Sequence, residues 1–152
     1  MWGVRYGPRR DLGPGSADGE RVCSTGAMAL RTATSVFVLG FVLHHLDHVR
    51  RGYGSVDDGV ILGRTVAAML VAVFVTLVVI GHRRAPHAAV LVGTVVAVGL
   101  VMVRLVPPFG PPSDHLGADG IDALTWFVVL FELVGAGVVV SAGIRAMRPA
   151  AG

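Results

Sequence analysis

Four long apolar runs constrain this chain more than any other feature. They extend from about Met28 to Val49, Val60 to Ile80, Ala88 to Val106 and Ile121 to Ile144. Each is close to the ~20 residues that an α-helix needs to cross about 30 Å of hydrocarbon. Their valine content would favour strands in water, but a lone strand in lipid leaves its backbone amides and carbonyls without partners, whereas a helix satisfies its own. The expected fold class is therefore all-α, a polytopic membrane protein with four transmembrane helices. The links are short, which predicts antiparallel neighbours in an up-down-up-down bundle.

Composition agrees. With 53% hydrophobic and 15% charged residues, the chain lies outside the ordinary soluble range. Its formal charge of +3 does not point to nucleic acid, because the basic residues flank the apolar runs instead of lining one polar face. All the basic residues are arginine, which with abundant Gly, Ala and Val matches the coding bias of a GC-rich bacterial genome. Cys23 is the single cysteine, so neither an intrachain disulfide nor a multi-cysteine metal site is available.

The arginines also predict orientation. With a cytoplasmic N-terminus, the inner side holds Arg5, Arg9, Arg10, Arg21, Arg31, Arg83, Arg84, Arg145 and Arg148, and the outer side Arg50, Arg51, Arg64 and Arg104. That excess predicts both termini inside, in a multi-pass protein of the bacterial inner membrane. Residues 1–26, rich in Gly, Pro and Arg and without period, read as a disordered tail. Residues 27–148 form the membrane domain and 149–152 a short C-terminal tail. "PRRDLG" resembles a twin-arginine signal only superficially, since the following apolar run is long and lacks a small-residue cleavage site. Met28 is an alternative start to Met1.

The most informative stretch is "FVLHHLDHVRRG", residues 41–52. Between Arg31 and His44 lie only twelve residues, "TATSVFVLGFVL", which as a helix cover about 18 Å and cannot span the hydrocarbon. Extending to Val49 gives about 27 Å, which draws His44 roughly 9 Å below the level of Arg50. Ionisable groups at that depth are costly unless they face protein or water, and so they mark a candidate functional site. Helical geometry places His44, Asp47, His48 and Arg51 on one face, with His45 turned away.

Two imidazoles one turn apart can share a metal ion, with Asp47 as third ligand or as the carboxylate that fixes a tautomer. The same set can pass protons. A third reading is an interfacial anchor with an internal Asp47–Arg51 pair. Other ionisable groups fall at comparable depth: Arg64 in the second helix, Arg104 in the third, and Glu132 about 16 Å into the fourth. Glu132 is expected to face the interior and to contact Arg104, Arg64 or enclosed water. The outer half is thus polar and the inner half apolar, which argues against a continuous ion channel.

The loop "VPPFGPPSDHLGADGID" would cover this pocket, offering Asp114 and, as a fourth metal ligand, His115. Adjacent Ser113, Asp114 and His115 cannot form a hydrolase relay, and no other nucleophile or cofactor motif marks an enzyme. Asp119 or Asp122 is expected to cap the fourth helix. Pro86 belongs near the start of the third. The spacing of Ala89, Gly93 and Ala97, and of Gly137 and Ser141, suggests close helix packing, internal or in a homodimer. A bis-histidine haem site would need such a dimer, because no other helix carries a histidine at the depth of His44.

"HHLDHVRRG" closing the first helix, and "PPSD" followed by "GIDALTWFVVLFE" leading into the fourth, resemble the small uncharacterised four-helix integral membrane proteins of GC-rich bacteria. The resemblance covers the membrane portion and implies architecture. It groups His44, Asp47, His48, Asp114 and Glu132, and supplies no reaction. The sequence thus predicts a small membrane protein with an outward-facing site, comprising His44, Asp47, His48 and His115 over a polar pocket of Arg64, Arg104, Asp114 and Glu132. That site would bind a transition-metal ion (zinc, copper or iron) or a small ligand. The alternative is an accessory or scaffold subunit that packs against a partner membrane protein.

Overall fold

The computed structural model describes residues 16–51, 58–105 and 122–148. They form four helices: α1 Ser16–Arg51, α2 Asp58–Val79, α3 Ala85–Leu105 and α4 Ala123–Met147. Each contains a segment long and apolar enough to cross a membrane, namely Gly26–Arg50, Leu62–Val79, Ala85–Arg104 and Ala123–Met147. The fold class is all-α among the described residues, as the apolar runs predict.

The boundaries differ from the apolar runs where local chemistry, and not hydrophobicity, starts or stops a helix. α1 begins at Ser16, inside the stretch expected to be a disordered tail up to residue 26. "SADGERVCSTGA" has no proline to interrupt it, and Asp18 and Glu20 stand near a helix start, where the macrodipole favours acidic residues. Residues 1–15 and 149–152 lie outside the described residues. α3 opens at Ala85 with Pro86 in its first turn, where a missing amide costs nothing.

α2 ends through Gly81, the residue with φ of 64°. The amide of His82 donates to the carbonyl of Leu77 at 2.9 Å, and that of Gly81 to Val78 at 3.2 Å. This pattern closes the last turn around a left-handed residue and satisfies two orphan carbonyls. α4 starts at Asp122, whose side chain accepts from the Thr125 amide. This is one of the two caps expected from the sequence.

α4 is the central helix, packed mainly on α1 and α3, with α2 more lightly held against α3 and α1. Glycines set the closest approaches. A Cβ on Gly40 would lie 2.9 Å from the Glu132 Cα, and one on Gly135 3.1 Å from the Phe37 Cα. Along this contact α1 numbers rise as α4 numbers fall. On the other side, Gly93 faces Val139 and Val140, and Gly143 faces Pro86 and Ala89. The α3 stripe through Ala89 and Gly93 therefore forms an internal seam. The α4 stripe does not: Gly137 is exposed with nothing within 4 Å of an added Cβ, and the seam runs instead through Gly135, Ala136, Val139 and Gly143. Side-chain spacing alone could not distinguish two adjacent faces that both carry small residues.

The apolar core, with Phe37, Phe74, Ala89 and Val139 at its centre, lies in the half of the bundle containing Arg31, Arg84 and Arg145. The Phe37 and Phe74 rings meet edge to face at 6.3 Å. Large apolar side chains such as Leu62, Met69, Leu91 and Phe127 point outward. Such an inside-out distribution suits lipid, where helices gain from close packing of small residues more than from burying large ones.

Candidate functional site

His44, Asp47 and His48 occupy one face of α1 and are all buried. The close contact of Gly40 with α4, one turn before His44, brings Glu132 within reach. Nδ1 of His44 lies 2.8 Å from Oε2 of Glu132. Neither atom has a hydrogen-bond partner among the described residues, so the contact is one of ion-pair distance only. On the other side of the ring, Nε2 of His44 lies 2.9 Å from Nε2 of His48. Glu132 is expected from the sequence to contact Arg104, Arg64 or enclosed water; the side chain it meets here is His44, because the glycine contact aligns the two helices at this level.

The arginines converge on His48. Arg104 donates to its Nε2 at 2.8 Å and lies 3.5 Å from Nε2 of His44. A nitrogen of Arg64 is 3.1 Å from both Nδ1 and Nε2 of His48. It cannot lie in the ring plane at equal distance from both without striking Cε1, so it sits over the ring face. Arg64 and Arg104 thus join the histidine cluster, as expected from their depth.

Asp47 reaches toward the end of α1 and the start of α4. Its Oδ1 accepts from Nε and a terminal nitrogen of Arg50, at 3.0 and 2.8 Å, and its Oδ2 accepts the Thr125 hydroxyl at 2.9 Å. Arg50 extends further to both oxygens of Asp122, at 3.1 and 2.9 Å. Asp47, Arg50, Thr125 and Asp122 therefore clamp the end of α1 to the start of α4. Asp47 pairs with Arg50; the side chain of Arg51, its expected one-turn partner, lies outside the described residues. His45 faces away as expected, its Nδ1 donating to the Phe41 carbonyl at 2.8 Å. Asp114 and His115 lie outside the described residues.

Proton placement follows from the distances. Arg104 donates to Nε2 of His48, so that nitrogen is an acceptor and the ring's own proton is on Nδ1. The contact between the two Nε2 atoms then needs its proton on His44. Nδ1 of His44 and Oε2 of Glu132 stand at ion-pair distance without the alignment of a hydrogen bond.

A metal ion fits this arrangement poorly. Among the described residues, no group of three or more His, Cys, Asp and Glu side chains is arranged to hold one. Asp47 is committed to Arg50 and Thr125, and guanidinium groups stand where a cation would meet the imidazoles. Sequence reasoning missed Gly40, Arg50 and Thr125. Gly40 was legible as a small residue one turn before His44. Thr125 was legible only as the third residue after a capping aspartate, which says nothing of Asp47.

The carboxyl of Asp122 is held at about 2, below its ordinary value, chiefly by the Thr125 amide and then by Arg50. A lowered folded-state value means that this cap supports the fold fully above about pH 4 and is lost as pH falls toward 2. The melting temperature of the purified protein should therefore fall over that interval, and Asp122→Asn should flatten that part of the profile. An unchanged profile would remove Asp122 from the clamp.

Fold and site together define, among the described residues, an all-helical protein with four helices long and apolar enough to cross a membrane and a buried His–His–Glu–Arg cluster between them. No family model, curated protein or solved structure matches the chain.

Proposed function

We propose that the chain is a multi-pass protein of the bacterial inner membrane, an up-down-up-down bundle with both termini cytoplasmic and the histidine cluster toward the outside. Its cluster is a proton-binding site. The observation that carries this reading is the unbroken line of short contacts from Glu132 through His44 to His48 and Arg104. Such a line holds one ionisable proton at its buried end and transmits its loss to the arginines. The other half of the bundle is apolar, so the proton enters and leaves by the same side. Binding of a small ligand at the cluster, the other role that the histidines suggest, is thereby proton-linked.

Infrared difference spectra after a pH step test this reading. The His44 imidazole and Glu132 carboxyl bands should change together, and Glu132→Gln should alter the His44 signal as well as remove its own. A His44 signal indifferent to Glu132→Gln would overturn the proposal. So would stoichiometric zinc, copper or iron that disappears in a His44→Ala, His48→Ala double variant. An accessory role, the alternative, would appear as stable co-purification of a larger complex with no spectral change at His44.

A further inference from the structure

A second feature lies at the opposite end of the bundle from the histidines. α1 and α4 border a groove of about 880 Å³ there, with Ala29, Thr32 and Val36 on one wall and Gly137, Ser141 and Arg145 on the other. Both hydroxyls are turned to their own helices, Thr32 to the Met28 carbonyl at 3.1 Å and Ser141 to that of Gly137 at 2.8 Å. The walls are therefore effectively apolar, and among the described lining side chains Arg145 offers a free donor to an occupant.

Among the described side chains, the charge around the groove is one-sided. Arg31, Arg83, Arg84, Arg145 and Arg148 are all exposed, whereas the carboxylates whose side chains are described, Asp47, Asp122 and Glu132, belong to the other half. Among the described side chains, a second copy seated here about a two-fold axis would bring these arginines against their own counterparts with no carboxylate to offset them. An anionic phospholipid meets both demands, with an acyl chain along the small-residue walls and a phosphate at Arg145.

We propose that the α1–α4 groove is a binding site for an anionic phospholipid, its headgroup held by Arg145. This rests on the chain lying in a bilayer and not on the proton site, so it can fail or succeed independently of the histidines.

The test uses the full chain, delipidated in a neutral detergent, titrated with phosphatidylglycerol or with phosphatidylcholine of the same acyl chains. Bound lipid per chain and oligomeric state are read by native mass spectrometry. The wild type should hold one phosphatidylglycerol in preference to phosphatidylcholine. Arg145→Gln should reduce that preference about fivefold, the effect of one basic residue on an anionic lipid. Gly137→Leu should abolish binding of both lipids. Its glycine has open space around it, so the helices are retained, which circular dichroism checks; Ser141→Leu serves as a second blocking variant. Equal binding of the two lipids by the wild type would overturn the proposal, as would phosphatidylglycerol binding that survives both leucine variants. A dimer that Gly137→Leu converts to monomer with lipid binding unchanged would assign the groove to a second copy instead.

Discussion

Gly40→Ala weakens the fold by about 2 kcal/mol, the middle of the range for overpacking a close contact. The added methyl would lie 2.9 Å from the Glu132 Cα, and backbone cannot swing aside as a side chain can. α1 and α4 must separate, and with them His44 and Glu132, so the proton-linked signal at His44 should change as well. The control is Gly99→Ala on α3, where nothing lies within 4 Å of the new Cβ. It should leave stability unchanged or raise it by up to about 1 kcal/mol, the helix-propensity gain of alanine over glycine. Unfolding in mixed micelles titrated with SDS, followed by helicity, compares them. Equal effects of the two substitutions would show that α1 and α4 do not meet at Gly40.

Glu132→Ala should cost about 2 kcal/mol, measured in the same way. Removing one partner of a buried pair costs roughly 3–5 kcal/mol in water-soluble proteins, but a chain unfolded within a membrane finds other partners, which lowers the figure. The loss comes from His44, whose Nδ1 faces Glu132 alone. A Glu132→Ala, His44→Phe double variant should recover much of it, since two apolar groups leave nothing unsatisfied. A double variant no more stable than Glu132→Ala would mean that the two residues act independently.

Much of the architecture was readable along the chain. The length of the apolar runs required four helices, Pro86 marked where the third begins, and an aspartate before "ALTW" marked the start of the fourth. The burial of His44 was readable too, because twelve residues after Arg31 cannot cross the hydrocarbon. Helix ends were less legible. Hydrophobicity stops at Ile144, but α4 continues to Met147, and α1 starts at Ser16, because backbone hydrogen bonding and the absence of proline govern where a helix ends. The partner of each polar group was not readable at all. Asp47 lies on the same face as the histidines, yet it bonds Arg50 and Thr125, a residue 78 positions away.

The division has a physical cause. One-dimensional pattern determined what each segment is, since crossing length, helical period and capping are local and depend on neighbours a few positions apart. Only the packed bundle decided which atoms meet. A missing methyl group at Gly40 lets α4 approach within reach of a histidine, and the same absence at Gly137 leaves an open groove. Glycine reads alike at both positions along the chain, and only its neighbours across the helix interface separate a contact from a vacancy.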